Sequence, residues 1–334
     1  MKAILLKDFG SADNFIQKDD FPVPAPGNTD ILINIKAAAF NPVDYQMRQG
    51  KTESKRMHSP ILGREFSGIV VKAGKLVKKF KEGDAVFAAS GSMGSNGTYA
   101  QYISIPENIA AKKPESITFE EAAAIPTAFV TALQCYNRLS LKETDSVFVS
   151  GAAGGVGLAF VKLLLAKRHK QIIVTAGNTE SKQQLIQAGL SEQQIIDYKQ
   201  EDLASKIISA NKGNYFHHCI DMVGGKMAEL SAEVLITNGT YADVTALTTE
   251  AARGKLFDKG AVIINISNYA YSSNGNKGYY GESLNEITRL LENNFITPPP
   301  VQIVGELSAE TVKKAHLMLE DNLTKGRKLV MQII

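Results

Sequence analysis

Cysteine is scarce in this chain. Its 334 residues hold two, Cys135 and Cys219, far apart in sequence. Two thiols cannot build a four-cysteine zinc lobe. Their rarity, with no secretory signal after Met1–Lys7, points to a reducing cytoplasm. Long apolar runs are missing as well. Gly, Lys or Asn interrupts every greasy stretch before the ~18 residues that a membrane helix needs, so no membrane partner is expected. Charge of one sign is not in excess. The net charge is +3, spread along the chain, which gives no reason to expect a nucleic acid as partner. The densest basic stretch, Lys72–Lys81, reads as a solvated turn between strands. Internal repeats and low-complexity segments are absent too.

What remains is the composition of a soluble globular protein, 44% hydrophobic and 21% charged. The length suits two domains. In the first third, short apolar runs (Lys2–Leu6, Ile31–Ala39, Phe66–Val71, Ala85–Ala89) are punctuated by Pro22, Pro24, Pro26, Gly27 and Gly83-Asp84. This spacing predicts a β-rich, barrel-like domain. Thr118 followed by Glu121 is a capping box and predicts a helix start. From there to about residue 265, strand and helix patterns alternate. Strands are expected at Ser146–Ser150, Gln171–Ala176, Gln194–Asp197, His217–Asp221, Gly239–Asp243 and Ala261–Ile266, and helices at Gly155–Lys167 and Ser181–Ala188. Such alternation implies a doubly wound parallel sheet. Later come a tyrosine-rich stretch, Asn268–Tyr280, two helical patterns, Glu282–Asn293 and Ala309–Glu320, and a strand-like tail, Lys328–Ile334. The tail predicts a discontinuous first domain: residues 1–122 with 267–334, enclosing a second domain of residues 123–266.

The most informative segment is Val147-Phe148-Val149-Ser150-Gly151-Ala152-Ala153-Gly154-Gly155-Val156-Gly157. A strand enters a glycine-rich turn and a helix leaves it. Glycines let the backbone approach a pyrophosphate, and the helix N-terminus offers free N–H groups and the positive end of a dipole. The context of strand, turn and helix makes Gly154, Gly155, Val156 and Gly157 candidates for dinucleotide binding. NAD sites usually carry Asp or Glu about 20 residues downstream, for the ribose hydroxyls. The second strand instead ends in Val174-Thr175-Ala176-Gly177-Asn178. An acid there would repel a 2′-phosphate, so its absence favours NADPH, with Lys182 as a point charge for the phosphate. Glu180 keeps the alternative open: a shift of a few residues makes it the ribose acid.

Several segments together resemble the quinone oxidoreductase branch of the medium-chain dehydrogenases/reductases. They are Asn41-Pro42-Val43-Asp44 with Gln49-Gly50, Pro60–Gly68, Gly83-Asp84-Ala85-Val86, Gly97-Thr98-Tyr99-Ala100-Gln101-Tyr102, Ala152–Gly157 and Asp221-Met222-Val223-Gly224-Gly225. They occur in the family's order over nearly the whole chain. The resemblance implies a GroES-like catalytic domain beside a Rossmann domain and a homodimer extended through the strand Ala261–Ile266. It also implies no zinc. Zinc-dependent relatives have Cys where Asn41 stands and Gly-His-Glu where Gly63-Arg64-Glu65 stands, and Arg64 cannot ligate zinc as His would. The five histidines, His58, His169, His217, His218 and His316, lack a metal spacing.

The same resemblance makes Asn41, Asp44 and Thr131 neighbours of the nicotinamide, Gly177 and Lys182 neighbours of the 2′-phosphate, and Tyr198 and Asn268 further cofactor contacts. It departs at Gln46 and Thr52, where close bacterial relatives carry aromatics. Enoyl-thioester reductases of the mitochondrial type need a Tyr near position 52, so Thr52 argues against that activity. The implied reaction is hydride transfer from NADPH to a quinone or an α,β-unsaturated carbonyl. Without zinc, hydrogen-bond donors must stabilise the developing oxyanion. Tyr45 leads, Arg64 follows, and a cofactor ribose hydroxyl or water is a further source. The competing readings are a packed aromatic for Tyr45 and a salt bridge to Glu65 or Asp84 for Arg64. For the whole protein they are an NADPH-binding protein without turnover and an enoyl-thioester reductase.

Overall fold

The computed structural model describes residues 1–334, the side chains of Thr52 and Glu53 excepted. The chain divides into two compact units, Met1–Val130 with Tyr271–Ile334, and Thr131–Ala270.

The first unit opens with β1 (Ala3–Leu6), β2 (Phe15–Lys18) and β3 (Asp30–Ala39), then the short helix α1 (Pro42–Arg48). Strands β4 (Glu65–Ala73), β5 (Ala85–Ala89), β6 (Tyr102–Pro106) and β7 (Ala110–Lys112) follow, then α2 (Phe119–Ala123); α3 (Pro126–Leu139) begins in the first unit and ends in the second. The capping box at Thr118 forms as its sequence requires. Thr118 Oγ1 accepts from the Glu121 N–H at 3.2 Å, and Glu121 Oε2 accepts from the Thr118 N–H at 2.9 Å.

In the second unit β8 (Val147–Ser150), α4 (Gly155–Ala166), β9 (Ile172–Ala176), α5 (Thr179–Gln187), β10 (Ile195–Asp197) and α6 (Leu203–Ala210) alternate. β11 (Phe216–Asp221), α7 (Lys226–Val234), β12 (Leu235–Asp243), α8 (Glu250–Asp258) and β13 (Val262–Asn265) complete it. The chain then forms α9 (Tyr269–Ser273) and, back in the first unit, α10 (Gly278–Glu292), β14 (Val301–Glu306), α11 (Ala309–Glu320) and β15 (Lys328–Gln332).

The second unit's strands form one parallel sheet in the order β10-β9-β8-β11-β12-β13. That is the doubly wound order expected of alternating strands and helices, with the order reversing beside β8. β8 and β9 are buried along their whole length, as strands covered on both faces must be. Phe148, Phe216, Tyr241 and Leu256 anchor the core on one side of the sheet. In β11 neighbouring side chains point opposite ways: His217 is exposed and His218 buried.

In the first unit the order is β14-β15-β3-β4-β5-β7, with β6 added to β3. Branching at β3 follows from its length. Asp30–Asn34 pair with β6 and Ala37–Ala39 with β15. The path does not close into a barrel; β14 and β7 end it. The tail thus returns to the first unit through β15. Residues 97–100, just ahead of β6, run outside this sheet. Gly97 and Tyr99 donate to Ile61 and Leu62 carbonyls, and Ala100 bridges to Ala3. A Cβ on Gly97 would stand 2.2 Å from those carbonyl oxygens, so only glycine allows that approach. The Lys72–Lys81 stretch is a largely exposed turn, as its charge predicts. Glu107 holds its Lys78 and Lys79 N–H groups.

Among the described residues no helix is long and apolar enough to cross a membrane.

Candidate active site

The glycine-rich turn leaves β8 at Gly151, whose φ of +69° is left-handed, a conformation glycine adopts without the Cβ penalty. Gly154 is the N-cap of α4 and no side chain caps the helix. The first-turn N–H groups from Gly155, Val156 and Gly157 therefore keep no side-chain acceptor, which is the geometry an anionic ligand can complete. Gly157 has a packing role. A Cβ there would meet the Gly151 oxygen at 2.3 Å and Ala152 Cα at 2.7 Å, so the helix seats directly against the turn.

The neighbouring strand ends are locked to this turn. Ser150 Oγ donates to Asp221 Oδ1 at 2.7 Å. The buried Asp221 carboxylate also accepts from the N–H groups of Val223 (3.1 Å) and Gly224 (3.0 Å) and from the Tyr241 hydroxyl (2.9 Å). Asp221 thus builds the corner Met222–Gly225, whose Gly224 and Gly225 have positive φ.

At the end of β9, the Tyr198 ring lies where a Gly177 side chain would be. A Cβ would meet ring atoms at 2.2–2.4 Å. Asn178 Oδ1 caps α5 by accepting from the Ser181 N–H at 2.8 Å. No carboxylate stands at Ala176–Asn178. The Lys182 side chain makes an exposed ion pair with Glu192 at 3.3 Å. Elsewhere in the second unit, Asn268 Nδ2 donates to Thr131 Oγ1 at 2.6 Å. Two candidates 137 residues apart are thus adjacent, and Gln134 Nε2 holds the Ser267 carbonyl beside them at 3.0 Å.

In the first unit, Asn41 caps α1, with Pro42 supplying the fixed φ of the first turn. The Asn41 N–H donates to Asp44 Oδ2 at 2.8 Å. Asn41 Nδ2 donates to Glu65 Oε1 at 2.8 Å, and Lys328 Nζ donates to Asn41 Oδ1 at 2.7 Å and to the same Glu65 oxygen. The Thr127 N–H completes Glu65 through Oε2 at 2.7 Å. Asp44 is fully buried and its Oδ1 has no hydrogen-bond partner among the described residues. Burial pushes its carboxyl up to about 6, against the opposing pull of the Arg64 guanidinium.

Arg64 Nη1 lies 3.3 Å from Met47 Sδ. Glu65 is engaged by Lys328 and Asp84 by Lys112 at 3.5 Å, so both carboxylates suggested for Arg64 have other cations. Tyr45 projects from α1 half-buried. The Thr52 side chain lies outside the described residues. Behind α1, the Tyr99 hydroxyl meets His316 Nε2 at 3.1 Å in a fully buried pair. Burial holds His316 down to about 3, so it is neutral.

The sequence reading missed Glu65, Lys328, Tyr99 and His316 as members of this cluster. Glu65 and Tyr99 lie inside the family-like segments Pro60–Gly68 and Gly97–Tyr102. Lys328 left one trace, a cation opening an otherwise apolar strand, Lys328-Leu329-Val330-Met331.

The donors around Asn41 do not suit zinc. Zinc favours thiolate and imidazole donors, whereas Asn41, Glu65 and the Phe40 carbonyl surround an ammonium. Among the described residues no group of three or more His, Cys, Asp or Glu is placed to hold a metal ion.

Fold and turn together point to a dinucleotide-binding protein, and comparison with known proteins gives its class. Residues 27–115 match the alcohol dehydrogenase GroES-like domain, and residues 190–330 match the family described as zinc-binding dehydrogenase. The chain is 30% identical to the 2-methylene-furan-3-one reductase of Solanum lycopersicum, over 100% of this chain and 79% of that protein. It is 30% identical to the quinone oxidoreductase of Rattus norvegicus, over 72% and 71% of the two chains. The structure of the Escherichia coli quinone oxidoreductase complexed with NADPH superposes with a TM-score of 0.85 at 26% identity, over 99% of this chain and 100% of that one. The chain belongs to the quinone oxidoreductase family of medium-chain dehydrogenases/reductases, and it is an oxidoreductase.

Proposed function

We propose that the protein reduces a quinone or an α,β-unsaturated carbonyl with NADPH and without a metal ion. The observation that carries this reading is the uncapped N-terminus of α4 at Gly154–Gly157 beside a β9 end without a carboxylate. The names of the relatives, a furanone reductase and quinone oxidoreductases, support the acceptor class.

The second unit is the dinucleotide-binding half in this reading. The N–H groups of Gly155, Val156 and Gly157 hold the pyrophosphate. Gly177 leaves room for the 2′-phosphate, Tyr198 covers it, and Lys182 can exchange its exposed partner Glu192 for it, since a solvated pair of this kind is weak. Thr131 and Asn268 position the nicotinamide amide. By the family resemblance, Asn41 and Asp44 are further cofactor contacts. NADPH supplies the hydride when bound. Tyr45 donates a hydrogen bond to the acceptor oxygen as negative charge develops there, with Arg64 adding positive potential.

The buried, unpaired thiols Cys135 and Cys219 accord with a reducing compartment, and we place the protein in the cytoplasm. We also propose a homodimer joined at β13.

Titration with NADPH and NADH, followed by assays with a quinone and an enone, tests the reading. Tighter NADPH binding with turnover is expected. Preference for NADH would show that Glu180, and not Lys182, reads the ribose. NADPH binding without turnover on either acceptor would leave a binding protein.

A further inference from the structure

Lys328, at the head of β15, is 7% exposed. Its ammonium donates to Asn41 Oδ1 at 2.7 Å, to Glu65 Oε1, and to the Phe40 carbonyl at 3.3 Å. Three donors meet three acceptors, so the ammonium is saturated inside the first unit. Glu65 is fully buried and equally complete, through Lys328, Asn41 and the Thr127 N–H.

A buried ion pair of this kind gives little stability over an apolar pair of equal volume, because desolvating both ions offsets their attraction. It does something an apolar pair cannot. The side-chain amide of asparagine can turn end for end, exchanging its oxygen for its nitrogen. Lysine only donates and a carboxylate only accepts. With Lys328 on the Asn41 oxygen and Glu65 on its nitrogen, a single orientation satisfies all three groups. Asn41 is also the N-cap of α1, and its N–H holds Asp44 Oδ2 at 2.8 Å. The orientation of its side chain is therefore tied to the first turn of the helix that carries Asp44 and Tyr45.

We propose that Lys328 is a positioning residue of the reductase: paired with Glu65, its buried ammonium orients Asn41 and the first turn of α1, as a fixed positive charge in a site whose relatives are described as zinc-binding. The proposal rests on the reductase reading for its kinetic consequence, and on the Asn41 contacts for its structural one.

The test uses the full chain as wild type, as Lys328→Met and as the double variant Lys328→Met/Glu65→Gln. The single variant strands a buried carboxylate and is expected to unfold readily. The double variant is neutral, and the carboxamide introduced by Glu65→Gln satisfies Asn41 in either orientation. With asparagine labelled by nitrogen-15, and Asn41 assigned by its loss in Asn41→Asp, the wild type should show a slowly exchanging Nδ2 proton, the one held by Glu65. In the double variant that protection is lost. Its kcat with 1,4-naphthoquinone or 2-hexenal falls roughly 10–100-fold, the size typical of losing an outer partner of a site residue, and NADPH binding weakens with it because Asn41 is a cofactor contact in this reading, while the KM for the acceptor stays near wild type. Wild-type kcat in a folded double variant would overturn the proposal, as would undiminished protection of the Asn41 amide. So would one equivalent of zinc that stays with the wild type through dialysis and leaves in the double variant. A wild type that reduces neither acceptor would sink the reductase reading alone; the exchange of the Asn41 protons would still decide what Lys328 does.

Discussion

Asp44 shows how one buried residue sets a pH dependence. Its carboxyl is fully buried with one oxygen unpartnered, and in the folded protein it holds its proton up to about 6, against 3.8 ordinarily. The folded state therefore binds the proton more tightly than the unfolded chain. Below pH 3.8 both states are protonated and Asp44 costs nothing. Between 3.8 and about 6 stability falls as pH rises, and above that the cost is complete, on the order of 2–3 kcal/mol. Asp44→Asn keeps an acceptor for the Asn41 N–H and removes the charge. It should raise the melting temperature at about pH 8 and flatten the contribution between about pH 4 and 6; melts of both proteins across that range check it, and a lower melting point for Asp44→Asn at the alkaline end would refute it. Asp44 and Asn41 were legible as a signature. Their dependence on Glu65 and Lys328 was not, because those groups approach from positions 24 and 287 residues away.

Among the elements, α4 and the turn before it were legible, since glycine spacing and helix polarity are local properties. The reason for each glycine was not. At Gly157 a Cβ would strike backbone atoms at 2.3 and 2.7 Å, which cannot move without displacing the turn. Gly157→Ala should therefore destabilise the protein by roughly 1–3 kcal/mol, the usual range for overpacking, and weaken NADPH binding at least tenfold. At Gly177 the obstacle is the Tyr198 ring, 47% exposed, which can swing outward. Gly177→Ala should cost less stability than Gly157→Ala, and Tyr198→Ala combined with it should recover most of the loss. Urea unfolding and NADPH fluorescence titration measure both. Equal losses for the two glycine variants would show that the ring is as fixed as the backbone.

For the whole molecule, the decisive feature is an unfinished edge. β13 ends the parallel sheet with Val262 54% and Ile263 48% exposed, and Phe257 on the preceding helix is 86% exposed. An apolar edge strand of this kind invites another strand, and a second copy would bring a matching one by two-fold symmetry. Sedimentation should show a dimer, and Ile263→Lys should shift it toward monomer while leaving the melting curve of the monomer cooperative. A wild-type monomer at micromolar concentration would rule this association out.

The sequence by itself determined the alternation of strands and helices, the capping box at Thr118, the glycine-rich turn and the absence of an acid after β9, because each depends on residues close together along the chain. It also placed the tail as a strand. Only the tertiary structure decided that Gly97 and Tyr99 lie against Ile61 and Leu62, that Thr131 meets Asn268, and that Lys328 joins Glu65 and Asn41. Those contacts join segments that no periodicity relates. They arise when strands pair and helices pack, and the burial that follows is what makes a lone ammonium or carboxylate matter.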